Sequence, residues 1–150
     1  MKKTKDKVAE IQVSYHPSLC KKPVIITAFD AFIELIEFFP VDTISLNERF
    51  VVMYLNRSNR VLGVYELSKG GITGTVVDIR LLLSVAVKTA STSIIVCHNH
   101  PSGNLKPSSN DIQITQKIKE ACQLLDIKLV DHIIIVAARQ YLSMAEEGIV

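Results

Sequence analysis

Two histidines and an aspartate of this sequence have side chains and a spacing suited to binding one metal ion. His98 and His100 stand two residues apart at the end of an apolar run, residues 93–97, so in an extended chain both rings lie on one face. Asp111 follows near the start of a strongly helical stretch. Two imidazoles and a carboxylate, with a fourth position left open, are typical ligands of a catalytic zinc ion. Such an ion generates hydroxide from water near neutral pH.

Asp111 and Ser108 also have a purely structural interpretation. The pattern Ser108-x-x-Asp111 is close to a capping box, in which both side chains bind the backbone at a helix start. However, Asp111 lies three residues before Ile114 and seven before Ile118, which places its carboxylate on the core-facing stripe. A buried carboxylate needs a cation or several donors. Ser108 could cap the helix only, or also donate to an oxyanion that forms at a substrate carbonyl.

A general base is the remaining requirement of such a site, and spacing alone does not locate it. The water in a zinc hydrolase usually reacts beside a carboxylate that is not itself a ligand. Glu48, at the start of one predicted strand, and Glu66, near the end of the next, are the best placed. A glutamate at a strand end is more often a solvated surface residue.

His132 and Cys97 are the other candidates for a role in the site. We interpret His132 as a strand-end residue that forms hydrogen bonds or supports a ligand, although it could be a further ligand. Cys97 directly precedes His98 and faces the opposite way in a strand, which favours a buried packing thiol.

Periodicity predicts the elements that must position these residues. Strands are predicted at residues 8–15, 49–55, 60–67, 72–77, 93–97, 129–137 and 141–144. Helices are predicted from the capping box of Thr27 and Asp30 to about residue 39, from Asp78 to about residue 90, and over residues 109–125. An antiparallel meander followed by strand–helix–strand indicates an α/β (α+β) fold with a mixed sheet between helices.

Composition limits the class of protein. The chain has 150 residues, of which 48% are hydrophobic and 21% charged, which indicates one folded domain rather than disorder. A net charge of +2 is not the strongly basic footprint of a dedicated nucleic-acid binder. The three cysteines, without a Cys-x-x-Cys pair, fit a reducing compartment. No apolar signal core or membrane span is evident, so we expect a soluble cytoplasmic protein with no membrane partner.

The residues from His98 to Ser108, together with Asp111, resemble the JAMM signature of MPN-domain (JAB) metalloproteases, and in particular the bacterial RadC-like group. Residues 48–52, 71–75, 131–135 and 141–143 are similar to other segments of that group. The resemblance covers roughly residues 46–150. It implies a mixed α/β sandwich related to cytidine deaminases.

The resemblance also implies residue roles and a reaction. It places zinc on His98, His100 and Asp111, and it assigns the family's serine to Ser108. The general-base glutamate of the family corresponds best to Glu48. The implied reaction is the hydrolysis of an amide or isopeptide bond in a peptide or protein substrate.

We therefore expect an N-terminal strand and helix in residues 1–45, packed on or part of the same domain, and a RadC-like JAMM/MPN domain in residues 46–150. Longer RadC proteins carry a helical, DNA-associated region before this domain. Only about 45 residues precede Glu48 here, and they are predicted to form a strand and a helix, so the family's DNA-repair label is weakly supported. The alternatives to an amide hydrolase are a nucleic-acid-binding module with structural zinc and a metal-dependent nuclease.

Overall fold

A five-stranded mixed sheet organises the computed structural model, which describes residues 8–71 and 75–150. The described elements are α1 (Ala28–Ile36), β1 (Arg49–Leu55), β2 (Val61–Lys69), α2 (Ile79–Lys88), β3 (Ser93–Asn99), α3 (Ser109–Gln123), β4 (Lys128–Val136) and β5 (Gln140–Ser143). The strand order is β2-β1-β3-β4-β5, with β3 and β4 parallel and the other neighbours antiparallel. The mixed α/β architecture predicted from the sequence is confirmed.

The two central strands explain the apolar runs of the sequence, because helices cover both faces of the sheet. Alternate residues of a strand point to opposite faces. Val51 and Met53 of β1 therefore pack in a cluster with Phe32 and Leu35 of α1. Val52 and Tyr54, which alternate with them along β1, pack on the other face with Leu82 of α2 and with α3.

The three predicted helices form, and their start signals are the ones the sequence contains. Thr27 and Asp30 form a capping box at α1, and the Asp78 side chain accepts hydrogen bonds from two backbone amides of α2. Helix α1 ends at Ile36 rather than near residue 39, since residues 37–39 turn tightly before Pro40. Helix α3 likewise stops at Gln123, two residues earlier than predicted.

One predicted strand is not observed, and the described part of another has no regular structure. Residues 8–15 form no strand, and their apolar side chains are exposed (Val8 78%, Ile11 87%, Val13 71%). An alternating pattern becomes a strand only where a neighbouring strand pairs with it, and none pairs with this segment in the described structure. Of the predicted strand at 72–77, residues 75–77 have no regular structure, and residues 72–74 lie outside the described part.

The β3–α3–β4 unit positions the candidate site. Strand β3 ends at Asn99, the next residues turn through Gly103 at φ +81°, and α3 begins at Ser109. The amide of Gly103 donates to the carbonyl of His100 at 3.0 Å, which closes the turn that the Pro-Ser-Gly sequence predicts. Ligands of open α/β sheets bind beyond the carboxyl ends of strands, and the candidate site lies beyond the carboxyl end of β3. No helix among the described residues has the length and apolarity needed to cross a bilayer.

Candidate metal centre

The two histidines present the same ring nitrogen to one point. His98 is the penultimate residue of β3 and is 1% exposed, while His100 follows the strand and keeps 16% of its side chain exposed. Their Nε2 atoms lie 2.9 Å apart. The intervening Asn99 faces the opposite side, as the period of a strand requires. The structure thus brings the two predicted imidazoles together.

Asp111 completes the group from the first turn of α3. Its Oδ1 lies 3.1 Å from His98 Nε2, and its Oδ2 lies 3.2 Å from His100 Nε2. Ligand atoms held about 2.1 Å from a tetrahedral zinc ion are separated from one another by about 3.4 Å. The two nitrogens are slightly closer than that, each histidine faces a different carboxylate oxygen, and one ligand atom from each residue lies within 4.8 Å of the others, so the group could hold a metal.

The capping and ligand interpretations of Asp111 are compatible in the structure. Its Oδ2 accepts from the Ser108 amide at 2.7 Å, and its own amide donates to Ser108 Oγ at 3.0 Å. Burial alone would raise the pKa of Asp111, but hydrogen bonds with His100 and His98 lower that pKa strongly. The carboxylate is ionised, capped and turned toward both imidazoles at once.

His100 is oriented by the loop that follows it. Its Nδ1 lies 2.6 Å from the carbonyl oxygen of Asn104, and a carbonyl can only accept, so Nδ1 carries a proton. Nε2 is left facing Asp111. The hydrogen bond with Asp111 raises the pKa of His100, which means that a proton competes with a cation for Nε2.

His98 is oriented by two side chains from elsewhere in the fold. Its Nδ1 lies 2.7 Å from Nε2 of His132, and His132 Nδ1 lies 2.6 Å from Thr115 Oγ1. His132 sits in the middle of β4 rather than at a strand end, which corrects the sequence prediction. Burial lowers the pKa of His132 well below its usual range, so this imidazole is neutral.

Sequence reasoning missed Thr115. It lies one turn after Asp111 on the buried stripe of α3, which contains Asp111, Thr115, Ile118 and Cys122. Of the two isoleucines that marked the predicted core-facing stripe, Ile118 is buried and Ile114 is only half-buried. A polar residue four positions after a candidate ligand was the signal that could have found it.

Glu48 and Glu66 occupy different surroundings. Glu48 directly precedes β1 and lines the same groove as both histidines. Glu66 is on β2, pairs with the Arg49 guanidinium and is not among the groove residues. The location favours Glu48 as the base, although the role itself stays a prediction.

Asn99 holds the backbone on either side of Glu48 in place, and sequence reasoning missed this role as well. Its side chain is fully buried, accepts from the Arg49 amide at 2.7 Å and donates to the carbonyls of Ile44 and Asn47. A buried amide needs such partners, so an Asn at a strand end between two ligand candidates was an available signal. Asn99 thereby ties the segment before Glu48 to the strand that carries His98.

An open groove of about 900 Å³ runs over the candidate centre. It is lined by Glu48, Phe50, residues 75–77, both histidines, Pro101, Ser102, Asn104, Lys106, Ser108, Asn110, Asp111, Gln113, Ile114 and Lys117. The Ser108 hydroxyl accepts from the Asp111 amide, and this bond does not use its own hydrogen. Cys97 is buried on the opposite face, as predicted, and burial raises the pKa of its thiol.

Comparison with known proteins shows the class to which this fold and site belong. The family model described as "RadC-like JAB domain" matches residues 27–149. The chain is 50% identical over 103 residues to a UPF0758 protein of Flavobacterium johnsoniae, covering 69% of this chain and 44% of that protein. It is 42% identical over 102 residues to a UPF0758 protein of Porphyromonas gingivalis, covering 68% and 45%.

The chain belongs to the RadC-like JAB domain family. The family match begins at residue 27 and so includes α1. The chain spans less than half the length of the curated relatives it matches. The sequence-based recognition of this family is confirmed.

Proposed function

We propose that this chain is a zinc-dependent metallohydrolase that cleaves a peptide or isopeptide bond in a peptide or protein substrate. The observation that carries the proposal is the convergence of His98, His100 and Asp111 beside an open groove: the two Nε2 atoms lie 2.9 Å apart, and they lie 3.1 Å from Oδ1 and 3.2 Å from Oδ2 of Asp111, respectively. A zinc ion held by these residues would polarise a substrate carbonyl and lower the pKa of water. Membership of the JAB family supports the same chemistry.

The residues around this group supply the remaining steps of amide hydrolysis. Glu48 would accept the proton of the attacking water and transfer it to the leaving amine, which must be protonated to depart. Ser108 Oγ would donate its hydrogen to the oxyanion that develops on the former carbonyl. The open shape of the groove suits an extended chain that passes across the centre rather than an enclosed small molecule.

Metal analysis combined with a cleavage assay tests this proposal. We expect about one zinc per chain in the purified protein and none in His98→Ala, and we expect cleavage of peptide or lysine-ε-amide substrates that a chelator abolishes and zinc restores. Leu124→Ala, a change at an exposed site outside the groove, is the matched control and should keep the metal. Wild-type protein that takes up no divalent metal would end the proposal.

A nucleic-acid substrate is the alternative that the same experiment separates. Lys106 and Lys117 line the groove and could contact phosphates, which is the observation in its favour. Incubation of DNA with the chain and zinc or manganese should leave the DNA intact if the substrate is an amide. Metal-dependent cleavage of DNA, lost in His98→Ala, would reassign the centre to a nuclease.

A further inference from the structure

A continuous chain of buried hydrogen bonds runs from the helix backbone to the candidate ligand His98. The Thr115 hydroxyl lies 2.5 Å from the carbonyl oxygen of Asp111 and 2.6 Å from His132 Nδ1. His132 Nε2 lies 2.7 Å from His98 Nδ1. Thr115, His132 and His98 are 2%, 0% and 1% exposed, so water does not substitute for any of these partners.

The chemistry of the hydroxyl group sets the direction of this chain. Apart from the ring of His132, the Thr115 hydroxyl contacts the carbonyl oxygen of Asp111 and, at 3.8 Å, the sulfur of Met144, and both can only accept. A hydroxyl has a single hydrogen, so the Thr115 hydroxyl donates it to one of these acceptors and not to His132. It follows that His132 Nδ1 is the donor in its contact with Thr115.

The direction of the hydrogen bond between His132 and Thr115 also determines the direction of the one between His132 and His98. The described contacts of the His132 ring are with Thr115, His98 and the ring of Phe50, none of which carries a negative charge. A buried imidazole in such surroundings is neutral, because an unpaired buried charge is costly. With Nδ1 protonated, its Nε2 is bare and accepts a hydrogen bond from His98 Nδ1.

We propose that Thr115 and His132 are positioning residues that keep a proton on His98 Nδ1, so that Nε2 is the nitrogen available to a metal. The inference rests on the proposed metal site and deepens it. A metal-bound histidine usually donates its other ring nitrogen to a partner that fixes its orientation, and here that partner is a second histidine whose own tautomer is fixed by a threonine. His98, buried in the sheet, cannot use a loop carbonyl as His100 does.

The tautomer of His132 in the metal-free chain is the first measurement. Nitrogen-15 shifts of the imidazole rings, recorded through long-range proton couplings, distinguish protonated from bare nitrogens. We expect His132 with a protonated Nδ1 and a bare Nε2, and His98 with a protonated Nδ1. A proton on His132 Nε2 would overturn the inference whether or not the chain binds zinc. The measurement uses the wild-type chain, so it does not depend on the folding of any variant.

Variants of Thr115 provide the second measurement, the affinity for zinc in a competition with a chromophoric chelator. Thr115→Val keeps the shape of the side chain and removes the acceptor of His132, so the affinity should fall by about 10–100-fold. Thr115→Ser restores the hydroxyl and should return the affinity close to that of wild type. Thr43→Val is the matched control, since the Thr43 hydroxyl is buried, forms no hydrogen bond among the described residues and lies outside the groove.

The outcomes separate this inference from the proposed function. Zinc binding with equal affinity in Thr115→Val and wild type would refute the positioning role and leave the metal site intact. No zinc binding by the wild type would refute the proposed function and the positioning role together, which distinguishes that result from equal affinity in Thr115→Val. Recovery in Thr115→Ser, together with an altered His132 tautomer in Thr115→Val, is the result we expect.

Discussion

Helices α1 and α3 begin with the same local structure and differ in what lies opposite. At α1, the Asp30 amide donates to Thr27 Oγ1 at 3.2 Å, and Asp30 Oδ2 accepts from the Thr27 amide at 2.8 Å. At α3, the equivalent distances for Ser108 and Asp111 are 3.0 and 2.7 Å. The two capping boxes are the same motif in sequence and nearly the same in geometry.

The difference between the two boxes comes from the topology of the sheet. Among the residues that the structure describes, the Asp30 carboxylate accepts hydrogen bonds only from the backbone amides of Ile26 and Thr27. Asp111 lies next to the end of β3, where His98 and His100 are located, so its carboxylate also contacts two imidazoles. A capping motif therefore says how a helix begins, and only the neighbouring strand decides whether its acid can also bind a cation.

Exchange of each acid for its amide is the change with the largest expected effect. Asp111→Asn keeps an oxygen that accepts from the Ser108 amide but removes the anionic ligand. Zinc affinity should therefore fall by more than the roughly 10–100-fold that is typical when a residue hydrogen-bonded to a ligand is changed. Asp30→Asn makes the identical change in the other box and should leave zinc binding unchanged. Equilibrium dialysis with metal analysis measures both.

If both variants bound zinc equally, the proposed difference between the two capping boxes would be wrong. Equal zinc content in Asp111→Asn and Asp30→Asn would mean that Asp111 only caps its helix. Loss of helicity in Asp111→Asn, monitored by circular dichroism, would instead indicate a folding defect. Asp111→Glu then gives the decisive result, because it keeps the charge, and some zinc binding should be retained.

The candidate base, Glu48, tests whether the groove beside Asp111 is a catalytic site. Glu48→Gln should lower turnover by about 10²–10⁴-fold with the metal retained, as expected for the loss of a general base. Glu66→Gln is the matched change in a glutamate that pairs with Arg49 outside the groove, and it should leave turnover unchanged. Steady-state kinetics at fixed zinc occupancy measure the effect. A larger loss in Glu66→Gln would show that the base is misassigned.

The hydroxyl members of the two boxes should have separable effects. Ser108→Ala and Thr27→Ala should each destabilise the chain by about 1 kcal/mol, because each loses a helix cap. Only Ser108→Ala should also lower turnover, on the order of 10²-fold, through loss of an oxyanion donor. Denaturant unfolding measures the first effect, and kcat of the folded variants measures the second. Unchanged kcat in Ser108→Ala would reduce Ser108 to a cap.

Most of the fold could be predicted from the sequence because its signals are local. The capping residues Thr27, Asp78 and Ser108 each mark a helix start that the structure confirms. Residues 8–15 show where this fails, since their alternation is equally local but a strand also needs a partner that no local pattern supplies.

The residues of the candidate site also divide into those that local sequence signals predict and those that depend on long-range contacts. His98, His100 and Asp111 could be selected because ligands close together in sequence meet across one turn. Thr115 and His132 support His98 from 17 and 34 residues away, and their contact depends on the parallel pairing of β3 with β4. Asn99 acts through residues about fifty positions earlier. Such long-range contacts require the register of the sheet, which side-chain periodicity alone does not determine.

The smallest expected effect is a pH dependence that shows whether the α1 box is purely structural. Backbone hydrogen bonds from Thr27 and Ile26 lower the pKa of Asp30, so folding favours its ionised form. The stabilisation is therefore present above the unfolded pKa, near 4, and is lost as the pH falls through the lower folded value. Asn at position 30 does not titrate, so Asp30→Asn should destabilise the metal-free chain at pH 7 and progressively less toward pH 3. Thermal melting of both proteins measures the difference, and a gap that persists or widens on acidification would contradict the role of Asp30 as a charged cap.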